Sequence, residues 1–307
     1  MRDGLCSDPK TLPCRFLYDA RGSALFEQIT EIPEYYPTRT ERSILRAHAA
    51  RIATCAGAPL ELVELGSGSA SKTRLLIASL IEQHGSLVFR PIDISASILE
   101  QSSQRLLEDH PELEIHGLVG EYEAGLRKLA TTSSPHPRLV LWLGSSIGNL
   151  TRKEAGAFLL RVRNSLGPRD RLLVGIDLRK SAQILELAYD DPAGITAAFN
   201  LNLLARINGE LGGHFDLHNF EHRARYEEER GRVEMHLVSR CEQVVRVDAL
   251  DARVHFERGE TIHTENSYKY SEAEIADLAR AADLKLETGW TDGEGLFSLN
   301  LFHAPGR

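Results

Sequence analysis

Hydrophobic and polar positions along this chain switch between two periods. An apolar run from Leu60 to Leu65 reads as a short buried strand, small residues follow, and helical spacing resumes at Leu75, Leu76 and Leu80. Leu87–Ser95 reads as a second strand, Ser95–Asp109 as a helix, and Leu113–Val119 as a third strand. A fourth strand, Leu139–Leu143, precedes a helix opening at Thr151, and Arg171–Asp177 is a fifth. This alternation predicts a parallel sheet with helices on both faces. The period then changes. Residues 181–211 read as largely helical, interrupted at Asp191-Pro192-Ala193-Gly194, and strands follow at Phe220–Tyr226, Arg232–Ser239 and Gln243–Phe256. A helix from Ser271 to Ala282, capped by Ser271 with Glu274, leads into closing strands Leu284–Trp290 and Gly295–Phe302.

Ahead of the first strand the pattern is weaker. Residues 1–17 carry no strong period, so a partly loose start is expected. Ser23 is placed to cap a short helix bearing Leu25, Phe26 and Ile29. Pro33 and Pro37 are expected to stiffen a loop around Tyr35 and Tyr36, which serves as a binding wall or packs onto the neighbouring domain. Glu41–Ala53 reads as the helix leading into the first strand. The predicted division is 43–179 with 270–307 for one domain, and 1–42 with 180–269 for the other.

Composition narrows the classes. The chain has 307 residues, net charge −8 and 42% hydrophobic residues, an ordinary balance with ample core. No basic patch is dense enough for nucleic acid, and the run Glu227–Arg230 suits a solvated turn. No apolar run reaches membrane-spanning length, and no secretory leader stands out. Cys6, Cys14, Cys55 and Cys241 lack zinc or disulfide spacing, the histidines read mostly as surface residues, and a reducing cytoplasm with no metal is expected.

Candidate chemistry gathers at the ends of the predicted strands. Gly66 and Gly68 let backbone approach a ligand at a helix N-terminus. The pattern G-x-G-x-x-S lacks the third glycine of the dinucleotide fingerprint, so a purely structural turn reads the same way. Asp93 suits a ribose diol or a helix cap, although Ser95 can take the capping place. Glu121 and Tyr122 suit an adenine edge and face. Asn149 suits a polar substrate or the cap of the helix at Thr151.

The closing antiparallel hairpin is similar to that of class I S-adenosylmethionine-dependent methyltransferases. The segments 18–23 (YDARGS), 33–39 (PEYYPTR), 64–68 (ELGSG), 72–74 (KTR), 148–150 (GNL), 189–191 (YDD), 197–200 (AAFN), 234–235 (EM) and 264–269 (TENSYK) resemble, in order, the histidine Nα-methyltransferase family of ergothioneine biosynthesis. The resemblance implies a Rossmann-like α/β sheet with helices on both faces plus a second, α+β substrate-binding domain. It implies S-adenosylmethionine as cofactor, S-adenosylhomocysteine as product, and L-histidine as the substrate, trimethylated to hercynine; apart from the resemblance, a cytoplasmic monomer is expected. Carried over by position, Gly66, Lys72, Asp93, Glu121 and Tyr122 would hold the cofactor. Tyr35, Asn149 and Tyr189 would hold the amino acid's backbone groups. Met235, Glu265 and Ser267 would surround the imidazole, with Tyr18 and Tyr35 the catalytic candidates at the amine. Two departures show: Glu121 stands where the family usually has Asp, and Asn266 where a small apolar residue is expected.

Residue chemistry agrees with that assignment. Methyl transfer from a sulfonium needs a neutral amine held in line, so positioning supplies much of the rate. Tyrosine faces suit methylammonium cations, and a hydroxyl can orient or relay the departing proton. A glutamate accepting the imidazole N–H selects histidine over apolar amino acids. Three rivals remain: methylation of tryptophan or a tryptophan-derived amine, a dehydrogenase on the same βαβ start, and a cofactor-binding protein without turnover. Glu265 counts against the first, the missing third glycine and the closing strand against the second, and the presence of Tyr18, Asn149 and Glu265 against the third.

Overall fold

The apolar run at 60–65 forms β1 (Glu61–Leu65), buried along its whole length. The computed structural model describes residues 1–57, 59–131 and 134–305. In parallel register β1 pairs with β2 (Leu87–Asp93) on one side and β5 (Arg138–Trp142) on the other. Two short strands, β3 (Leu113–Ile115) and β4 (Leu118–Val119), both pair with β2. The expected single strand 113–119 is therefore broken, at His116 and Gly117. Beyond β5 lies β6 (Arg171–Asp177), also parallel; β7 (Lys285–Thr291) and β8 (Phe297–His303) add an antiparallel edge, giving the order β7-β8-β6-β5-β1-β2-β3.

Helices cover this sheet because each carries one apolar stripe. Ile44, Leu45 and Ile52 of α1 (Tyr36–Ala56) and Leu76, Ile77 and Leu80 of α2 (Thr73–His84) join Leu62, Leu141, Leu173 and Leu299 in one core cluster. Full burial of such a side chain stabilises by about 1.5–3 kcal/mol. After β2 comes α3 (Ala96–Asp109), after β4 α4 (Tyr122–Thr131), after β5 α5 (Arg152–Ser165), and α6 (Glu272–Ala281) precedes the edge hairpin. Thr151 and Ser271 close capping boxes with Glu154 and Glu274. Helix α1 begins earlier than expected. Pro37 lies in its first turn, where its missing N–H costs no helical hydrogen bond, so Tyr36 already belongs to helix rather than to a stiff loop.

Residues Met1–Tyr36 and Lys180–Lys269 form a second unit, and Pro37–Arg179 with Tyr270–Arg307 the one just described. The division falls at 36/37, after the first residue of α1, rather than at 42/43, deeper in that helix; residues 306 and 307 lie outside the described residues. The second unit carries a sheet in which Thr261–Tyr268 pairs antiparallel with Arg232–Ser239, and that strand with Phe220–Glu227. Lys10–Thr11 adds a parallel edge, so the start of the chain is ordered rather than loose. The run 243–256 is a hairpin of Gln243–Val247 and Ala252–Phe256, not one strand; it reverses at a short helical turn and at Asp251, whose φ is 44°. Helices Ala20–Glu31, Ala182–Tyr189 and Ile195–Leu211 complete the unit. Asp19, not Ser23, caps the first of these, accepting from the Gly22 N–H at 2.7 Å.

Candidate active site

In the sheet unit the candidate cofactor residues meet at the carboxyl ends of β1 and β2. Gly66 and Gly68 adopt left-handed backbone, φ 74° and 49°. The Gly66 N–H donates to the Ile92 carbonyl at 2.8 Å, and the Gly68 N–H to Asp93 Oδ2 at 2.9 Å. Asp93 Oδ1 accepts from the Ser95 N–H at 2.9 Å, while the Ser95 side chain makes no capping bond. One carboxylate thus fixes both the glycine turn and the entry to α3, and each oxygen keeps a further lone pair for a diol. A Cβ on Gly68 would meet nothing within 4 Å, whereas one on Gly66 would lie 2.7 Å from the Tyr122 hydroxyl. The Tyr122 ring packs against Trp142 and Phe158, at 6.1 and 5.7 Å between centroids, so its hydroxyl is the part beside the turn. Glu121 is exposed at the tip after β4.

Lys72 ends the same turn and pairs with Glu41, a fully buried carboxylate from α1 that also accepts from the Gly144 N–H at 3.0 Å. Glu41 was not among the sequence candidates, because it reads there as one polar position of an ordinary helix. Beside it, Glu64 is buried and takes the Thr73 hydroxyl at 2.6 Å. Burial pushes its carboxyl up to about 8, with Glu41 and Asp93 adding to the rise and Thr73 and Lys72 opposing it. Ser67 Oγ and Glu64 Oε2 are buried without a hydrogen-bond partner. Left-handed glycines, an open face at Gly68 and an orphaned hydroxyl fit a polar ligand laid on this turn. Asn149 lies in the same unit on a short helical turn, Ser146–Asn149; Thr151, not Asn149, caps α5.

In the second unit five aromatic rings form a chain. Tyr18 stands 5.6 Å from Phe26 and 5.5 Å from Phe199, Phe26 is 6.2 Å from Tyr35, and Tyr35 is 6.0 Å from Tyr189. All four of these contacts join edge to face. The Tyr189 hydroxyl lies 2.7 Å from Ser267 Oγ. Glu265 is buried opposite Met235 on the neighbouring strand, just after a register shift between His263 and Glu265 that leaves Thr264 bonded to the Met235 carbonyl. Such a bulge re-aims the side chains beside it. Burial pushes the Glu265 carboxyl up to about 7 against the opposing charge of Lys269, and Oε2 has no partner. The unit therefore brings together Tyr18, Tyr35, Tyr189, Met235, Glu265 and Ser267. Two further residues enter unannounced. Lys269 is fully buried beside Tyr189 and Ser267, and Cys14 lies near enough to Glu265 that burial and this carboxylate push its thiol up to about 12.

Among the described residues no group of histidines, cysteines and acids is placed to hold a metal, and no helix is long and apolar enough to cross a membrane. A parallel sheet closed by an antiparallel hairpin, with a glycine turn at β1 and an acid at the tip of β2, is the layout expected of a class I S-adenosylmethionine-dependent methyltransferase. The model of the histidine-specific, S-adenosylmethionine-dependent methyltransferases matches residues 1–304, and the chain belongs to that family. It is similar to the histidine N-alpha-methyltransferase of Mycolicibacterium smegmatis, 46% identical over 98% of this chain and 92% of that one. The corresponding protein of Mycobacterium tuberculosis is 43% identical over 97% and 92%. Ergothioneine biosynthesis protein 1 of Schizosaccharomyces pombe is 32% identical over 90% of this chain and 36% of that longer protein. The chain is thus an enzyme that transfers methyl groups from S-adenosylmethionine to histidine.

Proposed function

We propose that the chain carries the α-amino group of L-histidine through three successive methylations to hercynine, on the route to ergothioneine, as a cytoplasmic monomer. The observation that carries this reading is Glu265: a buried carboxylate with one oxygen unpartnered, set between Met235 and Ser267. A carboxylate is costly to bury in an apolar setting unless something pairs with it. An imidazole N–H is such a partner, and a ligand lacking it leaves the acceptor unpaired.

S-adenosylmethionine supplies an electrophilic methyl group when bound. Gly66 and Gly68 let backbone pass close to it, Asp93 would take the ribose hydroxyls, Glu121 and Tyr122 the adenine end, and Lys72 its carboxylate. Lys72 has three donors, so pairing with Glu41 does not exhaust it. Tyr35, Tyr189 and Asn149 would hold the amino acid's backbone groups. The rings of Tyr18 and Tyr35 offer π-faces to the mono- and dimethylammonium products of the first two rounds. Their hydroxyls can orient or take the proton each round must release before the amine lone pair is free again. Positioning of that lone pair is the principal contribution expected of the protein.

Calorimetric titration with histidine and with tryptophan, both in the presence of S-adenosylhomocysteine, tests the substrate. Histidine alone is expected to bind; binding of tryptophan with no histidine signal would assign the scaffold to the other amine.

A further inference from the structure

Two glycines make room for the Glu41 side chain and its partner. On β6, a Cβ at Gly175 would collide with Glu41 Oε1, so only glycine leaves the carboxylate its slot. Glycine inside a strand weakens it and marks a place where another group comes close. After β5, the Gly144 N–H donates to both carboxylate oxygens at 3.0 Å, from a backbone at φ 73°. A Cβ on Gly144 would stand 3.3 Å from Lys72 Nζ. Glu41 is fully buried, whereas the Lys72 side chain paired with it is 19% exposed. The pair thus reaches from the interior to the surface of the glycine turn.

Lys72 also occupies the N-cap of α2, without a capping bond. A cation at that end of a helix opposes the helix dipole. Helix end and ammonium are both positive, and among the described residues Glu41 is the one acid paired with Lys72. Glu64, raised to about 8, is protonated at neutral pH and adds no charge. A second anion is what this place lacks. A tie between helix and sheet does not need the lysine, and the turn after β5 has an anchor of its own: Ser145 Oγ accepts from the Asp177 N–H at 3.0 Å.

We propose that Glu41 is a positioning residue that holds the Lys72 ammonium in place for the carboxylate at the amino-acid end of S-adenosylmethionine. The inference rests on Lys72 taking that carboxylate. A lysine stem left alone samples many rotamers, and ordering it at the moment of binding costs affinity. Glu41 is itself fixed by Gly144 and by the slot at Gly175, so the ammonium is ordered before the ligand arrives. An ammonium has three donors, and the pair with Glu41 leaves others for the ligand. The effect of Glu41 is therefore selective: it acts on ligands that carry the amino-acid carboxylate, and not on those that end at the thioether.

Calorimetric titration compares wild type, Glu41→Met, Glu41→Gln, Lys72→Met and the double variant Glu41→Met/Lys72→Met. Each is titrated with S-adenosylhomocysteine and with 5′-methylthioadenosine, which has the nucleoside and thioether but no amino-acid tail. The quantity read is the ratio of the two Kd values. Lys72→Met should cut the preference for S-adenosylhomocysteine roughly 10- to 100-fold, the effect of a hydrogen bond to a charged group. Glu41→Met should cut it about tenfold and leave 5′-methylthioadenosine affinity unchanged. Glu41→Gln, which keeps an acceptor without the charge, should show an intermediate loss. In the double variant the change at Glu41 should add nothing to the loss at Lys72, because the two act as one unit. In turnover, Glu41→Met should raise KM for S-adenosylmethionine with kcat within a few-fold.

An unchanged or strengthened preference for S-adenosylhomocysteine in Glu41→Met overturns the inference. An equal loss for both ligands also overturns it, since that marks a strut for the glycine turn. If Lys72→Met keeps the wild-type preference, the assignment of Lys72 and this inference fall together, while histidine methylation stands. A Glu41→Met protein without a cooperative thermal transition has failed to fold, and Glu41→Gln then decides by the same ratio.

Discussion

Three residues illustrate how burial rather than identity sets chemistry in this chain. Glu64 is ionised in the unfolded chain above its ordinary 4.5, but stays protonated in the fold up to about 8. The folded state therefore binds the extra proton between those values. The resulting stabilisation is complete below 4.5 and is lost as pH rises toward 8. Glu64→Gln is expected to flatten the fall of the thermal midpoint across that window, as read by calorimetry at a series of pH values. Glu265 behaves similarly about 7, and on the proposed function it is the acceptor for the imidazole; Glu265→Gln should then weaken histidine binding roughly 10- to 100-fold and leave S-adenosylhomocysteine affinity unchanged in titration. Gly66 is limited by space and conformation. A methyl group there meets the Tyr122 hydroxyl at 2.7 Å on a backbone at φ 74°, a strain of about 1–3 kcal/mol. Gly66→Ala should cost S-adenosylhomocysteine affinity about tenfold or more in the same assay.

Elements with strong local codes were the most legible. The β1 run, the exact span of β6, and the capping box Ser271/Glu274 follow from periodicity and capping chemistry alone. Glu274 adds what the sequence does not display: although partial burial raises its carboxyl, Arg179, the Ser271 N–H and Arg152 hold it down to about 2. Ser271→Ala should lower unfolding stability by about 1 kcal/mol, measurable by denaturant titration with an unchanged slope. What the pattern missed has physical reasons. Pro37 marks a loop in isolation, yet is at home in a first helical turn. The strand Lys10–Thr11 is two residues long and exists only because Thr261–Tyr268 offers it an edge. The hairpin within 243–256 turns at Asp251, a residue that enters left-handed backbone more readily than most. For the candidate site, motif resemblance named the residues around Glu265, but not Glu41, Cys14 or Lys269. A buried lysine looks like any surface lysine in sequence; only its alternation with Glu265 and Ser267 places it on their face.

On the scale of the whole chain, two units with separate sheets are built from interleaved segments. The glycine turn belongs to one of them and the aromatic chain to the other. A ligand of the glycine turn should raise overall stability by mass action, about 2.7 kcal/mol at a hundred times its Kd. S-adenosylhomocysteine is expected to raise the thermal midpoint of wild type accordingly. It should leave that of Asp93→Ala unmoved, since this variant loses the carboxylate that holds both Gly68 and Ser95. The measurement that bears most directly on the central claim is mass spectrometry of a turnover mixture holding S-adenosylmethionine and histidine, with fragmentation to locate each methyl group. Successive products bearing one, two and three methyl groups, all on the α-nitrogen, are the predicted result. Methyl groups on the ring, or no methylated histidine from a protein that binds S-adenosylhomocysteine, would contradict it.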